Sequence, residues 1–194
     1  MLKWLSELLF KISGWKMGAR LSKDIRKCVM IAAPHTSNWD LVFARAAFFI
    51  MGVPVRFTIK KEWMVFPLNL LIRPLGGIAI DRGAPQEPNR KSTVDAMAQL
   101  FEQRESLVIL VTPEGSRSLR TQWKSGFYFV ALKAQVPIAL GYLDYVKKEA
   151  GVGKIVMPTG NFEEDITVIN DFYRGITGKF PEKFSPHQLN LSEK

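Results

Sequence analysis

Residues 33–40 read APHTSNWD and directly follow the apolar run CVMIA at 28–32. His35 is one of only two histidines in the chain, and Asp40 stands five positions after it. An imidazole in the turn before a helix, with a carboxylate on that helix's first turn, can form a general base. The carboxylate fixes one ring nitrogen and leaves the other free to take a proton from an alcohol. A second account of Asp40 needs no chemistry. Ser37-Asn38-Trp39-Asp40 has the pattern of a helix start, with Ser37 at the N-cap and Asp40 at N3 of a capping box. That account leaves His35 unexplained, and on the sequence both stay open. No Gly-x-Ser-x-Gly elbow supplies a nucleophile. The hydroxyl activated by such a base therefore belongs to a substrate.

Two further stretches carry polar groups just past apolar runs. In VTPEGSRS, at 111–118, Gly115 permits tight backbone geometry. Ser116 and Ser118 offer hydroxyl donors there, and Arg117 can grip a phosphate bidentately. An ordinary turn with exposed charges is the plain alternative. In GGIAIDRG, at 76–83, Arg82 follows a short strand; its alternative is a surface arginine paired with Asp81, worth little.

His-x4-Asp at His35 and Asp40, GIAIDR at 77–82, PEGSRS at 113–118 and VPI at 136–138 occur in that order. From about residue 28 to 140 the chain resembles the glycerolipid acyltransferase family, of the 1-acylglycerol-3-phosphate acyltransferase kind. The first and third motifs are specific in combination; the second and fourth are loose. The resemblance implies direct transfer of a fatty acyl group from acyl-CoA or acyl-carrier protein to a lysolipid hydroxyl. It implies no metal, no cofactor beyond that acyl thioester, and no acyl-enzyme. It implies His35 as the base and Asp40 as its partner. Arg82, Glu114, Gly115 and Arg117 would surround the acceptor phosphate, with Ser116 as a further substrate-binding group. It also implies an α/β core with an N-terminal membrane-docking helical element. Two positions depart from the pattern: Leu140 stands where a second proline is usual, and Ala79 where a bulky aromatic is common. Both are expected near the acyl chain or the acceptor, so they bear on substrate choice. The same chemistry on another hydroxylated lipid, a lyso-aminolipid or glycolipid precursor, is one alternative. A membrane-binding module without catalysis is another. The 194 residues are few for the family, which predicts a pared-down catalytic domain.

The elements that must position these loops can be read in outline. Period-2 and β-rich runs predict strands at 27–32, 55–60, 78–80, 107–111, 137–142 and 154–157, the last a hairpin partner of its predecessor across EAGVGK. Helices are expected at 37–51, 90–105, 125–135 and 161–174, with short helical pieces over 62–74. The alternation predicts a single α/β domain over 1–194, with a mostly parallel or mixed central sheet flanked by helices. In such sheets ligands bind beyond the carboxyl ends of strands, where all three loops fall. The apolar stretches 41–55 and 63–75 are candidates for an acyl groove. Residues 178–194 read as a loosely ordered polar tail, and His187 within it has no assigned role.

Residues 1–20 predict an amphipathic helix, with Leu2, Leu5, Leu8, Leu9, Ile12 and Trp15 near helical spacing. Glu7 and Lys11 interrupt any signal-peptide core. The helix either packs on its own domain or lies in a bilayer surface with Trp4 and Trp15 at headgroup level. No apolar run is long enough to span a bilayer. With 27 basic and 18 acidic residues the net charge is +9, which suits an anionic partner. No nucleic-acid recognition signature accompanies it. The expected partners are therefore an acyl thioester donor, a lysolipid acceptor and an anionic membrane surface, with no nucleic acid. The expected location is peripheral, on the cytoplasmic face of the membrane. The one cysteine, Cys28, opens an apolar run and is expected to be buried rather than reactive.

Overall fold

In the computed structural model, residues 2–80 and 92–188 are described. Arg82, the GAPQEPN loop and the last six residues of the tail lie outside them. The helices are α1 (Leu2–Ser13), α2 (Trp39–Met51), α3 (Asn69–Ile72), α4 (Thr93–Glu102), α5 (Gly126–Ala134) and α6 (Phe162–Arg174). The strands are β1 (Lys16–Met17), β2 (Lys27–Ala32), β3 (Val55–Lys60), β4 (Gly77–Ile80), β5 (Leu107–Val111), β6 (Ile138–Asp144) and β7 (Glu149–Val156).

The strands form one mixed sheet in the order β1-β7-β6-β2-β5-β3-β4. All neighbours are parallel except β6 and β7. The central strand β2 is buried on both faces, which is why its sequence is apolar from Cys28 to Ala32. Val29 and Ile31 face a core shared with α4, α5 and α6. Cys28 and Met30 face the α2 side with Met51 and Phe48. Burial pushes the Cys28 thiol up to about 12, so it stays protonated and inert.

Three readings of the sequence change. EAGVGK is strand rather than hairpin loop: β7 already begins at Glu149, and the turn is residues 145–148. Its glycines allow close approach. A Cβ on Gly151 would lie 2.6 Å from the Ala19 carbonyl oxygen, and one on Gly153 would strike the Phe172 ring. Second, Trp15 is not on the outer helix face. α1 stops at Ser13, Gly14 turns the chain at φ 74°, and Trp15 swings inward to 7% exposure, stacked on Phe43 at 4.3 Å. Phe10 anchors the helix from the same side. The apolar stripe of Leu2, Leu5, Leu8 and Ile12, with Trp4, therefore points outward and is exposed.

Third, the tail is packed as far as Gln188. The Phe180 N–H donates to Thr36 Oγ1 at 3.3 Å, and Trp123 Nε1 donates to the Ser185 carbonyl at 3.0 Å. His187 Nδ1 accepts the Trp123 N–H at 2.9 Å, and Asn170 bonds both backbone groups of His187. Burial lowers the His187 pKa, which suits a neutral ring that accepts at Nδ1. A polar tail orders here because its backbone groups find partners on Trp123, Asn170 and Thr36.

Candidate active site

β2 delivers His35 to the carboxyl end of the sheet, beside the neighbouring end of β5. His35 Nδ1 lies 3.2 Å from Asp40 Oδ2. The same oxygen accepts the Thr36 and Ser37 backbone N–H groups, each at 2.8 Å. The two accounts of Asp40 thus hold together: one carboxylate ties the turn and faces the imidazole. The capping box itself is only half formed. α2 starts at Trp39 with Asn38 at the N-cap and no side-chain cap bond. Burial alone would raise the Asp40 carboxyl, but hydrogen bonds from His35, Ser37, Tyr145 and Thr36 outweigh it and hold it below the ordinary carboxylate range. Asp40 is therefore an anion at neutral pH.

Glu114 sits beneath the same turn. It is 2% exposed, and its Oε1 accepts the His35 backbone N–H at 2.7 Å. Its Oε2 has no partner among the described residues. Burial pushes this carboxyl up from 4.5 to about 7, only partly offset by the His35 N–H. The structure thus puts Glu114 under the His35 loop, as its floor, rather than out beside Arg117. The raised value has a consequence for stability. The folded protein holds this proton more tightly than the unfolded chain does. Stability from this group is therefore full below the unfolded value and declines as pH rises toward about 7. Glu114→Gln keeps an oxygen for the His35 N–H and removes the titration. Between pH 5 and pH 8 the wild type should lose up to about 3 kcal/mol relative to this variant, read by chemical denaturation across pH.

The rest of the PEGSRS loop turns tightly at Gly115 and carries basic groups around it. Gly115 has φ 67°, and a Cβ there would come within 2.8 Å of the Lys124 ammonium, which lies across the turn. Ser116 Oγ donates to the Ser118 carbonyl and accepts from Arg120 Nε, both at 3.3 Å, so this serine braces the loop. Arg117 is exposed and lines the same cavity as His35. Lys124 is a cation that the motif spacing did not reveal.

That cavity lies between α2 and the sheet and has a volume of about 200 Å³. Leu41, Ala44, Phe48 and Met51 form one wall, and the sheet side contributes Leu110, Thr112, Tyr142 and Leu143, with Gly141 and Gly151 adding no side chain. Ligand sites that enclose a compact molecule usually run to roughly 300–1,000 Å³. A narrower apolar slot suits a linear chain end, with its headgroup outside. Of the two apolar stretches expected to line a groove, only 41–55 does so; Trp63, Phe66 and Leu70 of the other are exposed. Leu140 and Ala79 do not line the cavity either. Leu140 belongs to the core on the opposite face, because successive strand residues alternate and its neighbours Gly141 and Ile31 face opposite ways.

The Acyltransferase family model matches residues 19–139, well over half of the chain. This chain belongs to the acyltransferase family. No curated protein sequence matches it. Among solved structures it is similar to PlsC, the 1-acyl-sn-glycerophosphate (LPA) acyltransferase of Thermotoga maritima. The TM-score is 0.54 at 19% identity, over 90% of this chain and 76% of that one. At that identity the likeness is one of fold. In this acyltransferase the matched region holds the His35 turn, α2 and the PEGSRS loop. The last two strands' hairpin turn, α6 and the packed tail lie beyond it.

Tyr145, on that hairpin turn, is the site residue that motif reading missed. Its hydroxyl donates to Asp40 Oδ1 at 2.7 Å across 105 residues of sequence. No local spacing could have signalled it. Among the described residues no cluster of three His, Cys, Asp or Glu side chains could hold a metal ion, and no helix is long and apolar enough to cross a membrane.

Proposed function

We propose that this acyltransferase moves a fatty acyl group from an acyl thioester to the free hydroxyl of a lysophospholipid such as 1-acylglycerol-3-phosphate, with His35 as general base. The observation that carries this reading is the shared cavity. The imidazole held by Asp40 opens on the same apolar slot that Arg117 lines.

The acceptor hydroxyl approaches His35 Nε2. As its oxygen attacks the thioester carbonyl carbon, Nε2 takes the proton, a general-base contribution of about 10²–10⁴-fold. Asp40 balances the imidazolium that forms. The tetrahedral intermediate collapses with cleavage of the C–S bond, and the imidazolium returns the proton to the departing thiolate. The 3.2 Å contact between His35 and Asp40 is at the long end for a hydrogen bond and is the kind that tightens when substrate is bound. No step needs a metal or a prosthetic group; the co-substrate is acyl-CoA or acyl-carrier protein.

The acyl chain occupies the slot between α2 and the sheet, and the acceptor phosphate meets Arg117, with Lys124 close behind. Arg82 completes that cradle by family resemblance. The outward stripe of α1 lies in the cytoplasmic leaflet, which suits its exposed Leu2, Trp4, Leu5, Leu8 and Ile12 and the chain's positive charge. Arg117→Ala should raise the KM for a phosphate-bearing acceptor about 10- to 100-fold, the worth of a charge-assisted pair, and leave kcat nearly unchanged. Steady-state kinetics at varied acceptor checks this.

The reading as a whole is tested with labelled acyl-CoA and acyl-carrier protein against a panel of lysolipids in anionic vesicles. Acylation of 1-acylglycerol-3-phosphate supports it. Acylation only of a lyso-aminolipid or glycolipid precursor moves the acceptor, and vesicle binding without thioester cleavage refutes it.

A further inference from the structure

We propose that Tyr145 is a positioning residue for the reaction, a second support that fixes the Asp40 carboxylate and, through it, the His35 ring. The proposal rests on His35 being the base.

Asp40 is buried at 4% exposure, so each of its oxygens needs a partner from the protein. Oδ2 is supplied by Thr36, Ser37 and His35. Oδ1 has the Tyr145 hydroxyl at 2.7 Å. The first three partners come from the five residues before Asp40 and move with it. Tyr145 comes from the β6–β7 turn and ties the carboxylate to the sheet. It adds a hold on the second oxygen to the backbone bonds on Oδ2, and together they resist rotation about the Cβ–Cγ bond, which would carry Oδ2 away from the imidazole.

Tyr145 is itself held on every side. Trp15 meets its ring edge-on at 5.0 Å, and Phe43 does so at 6.2 Å. Its backbone N–H donates to the Thr177 carbonyl at 2.9 Å. The Asp144 carboxylate accepts the N–H groups of Val146 and Lys147 and sets the turn. Burial and the Asp40 hydrogen bond push the Tyr145 phenol well above its ordinary value, so it remains a donor at any working pH. On this turn Lys147 pairs with Asp144 at 3.3 Å and Lys148 donates to the Ser13 carbonyl at 3.1 Å; Glu114 lies under the His35 turn, and Arg117 lines the cavity. Among the described residues the recorded partner of Asp40 Oδ1 is the Tyr145 hydroxyl.

The two histidines make the proposal directly visible. His35 presents Nδ1 to a carboxylate and so carries its proton there, whereas His187 accepts at Nδ1 and carries its proton on Nε2. Long-range ¹H–¹⁵N spectra of the neutral protein should show two opposite tautomers. In Tyr145→Phe, His35 should become a tautomer mixture while His187, an internal control for folding, keeps its signature. Kinetically, Tyr145→Phe should lower kcat about 10- to 100-fold with KM for both substrates within about two-fold. In an Asp40→Asn background the same change should cost under about two-fold, because a residue acting through Asp40 has nothing left to act on. Equal losses in both backgrounds, or an unaltered His35 signature, would overturn the proposal. If the wild type transfers acyl groups to no acceptor, the catalytic reading falls, and the His35 spectra still decide whether Tyr145 sets the ring.

Discussion

His35→Ala is expected to lower the rate of acyl transfer by about 10²–10⁴-fold while the protein stays folded. The proposed role as base puts the loss on kcat, since a general base acts on a proton in flight. The fold should survive for a structural reason. What anchors this turn is its backbone: the His35 N–H on Glu114, and the Thr36 and Ser37 N–H groups on Asp40. All three remain when the ring is removed. The ring is part-exposed at the cavity, so alanine enlarges an existing opening and leaves no sealed void. Thioester cleavage with saturating acceptor gives the rate, and thermal melting gives the fold. Turnover near that of the wild type would remove His35 as the base.

Asp40→Asn should be nearly as damaging to the rate, by about 10²–10³-fold, and worse for stability. The amide has one oxygen where the carboxylate has two. With that oxygen toward Thr36 and Ser37, its NH₂ faces Tyr145; reversed, the NH₂ faces two N–H donors. The first orientation preserves the outline of the site but removes the negative charge beside the proposed base. Losing charge-assisted bonds at a buried group should destabilise the protein by about 1.5–3 kcal/mol. The pH dependence follows from the Asp40 carboxyl being held below its unfolded value of 3.8. Its contribution is fully present above that value and fades as pH falls below it. The wild type and Asp40→Asn should therefore differ constantly in denaturant midpoint from about pH 6 to pH 8 and converge in acid.

Two buried carboxylates thus flank one imidazole, and their environments push them in opposite directions. Asp40, with four donors, is kept ionised; Glu114, with one donor and an unpaired oxygen, is pushed up to about 7. Asp40 faces the ring, and Glu114 accepts the His35 backbone N–H. In the sequence nothing separates Glu114 from Ser116 and Arg117, its polar neighbours in PEGSRS. Burial separates it from its neighbours, and burial is a property of the strand end that carries it.

Much of the architecture was legible because it depends on local order. β2, β3 and β5 are continuous β-rich runs, and their bounds agree with the expected ones residue for residue. His35, Asp40, Gly115 and Arg117 were legible for a related reason: each motif lies within a few residues, so a turn or a first helical turn brings its members together. The outward face of α1 was legible as a stripe, but its direction was not, because a stripe does not say which neighbour it meets. Only the tertiary structure decided that Phe10 and Trp15 anchor the helix, that Leu140 belongs to the core, and that the tail is held as far as Gln188, by Thr36 at Phe180 and by Trp123 and Asn170 further on. Tyr145 is the sharpest case. The sequence alone determined which groups could do the chemistry, since residue type and short spacing fix what a turn can bring together. The fold decided what holds those groups still, because a hydrogen bond across 105 residues exists only once the sheet has set two distant turns side by side.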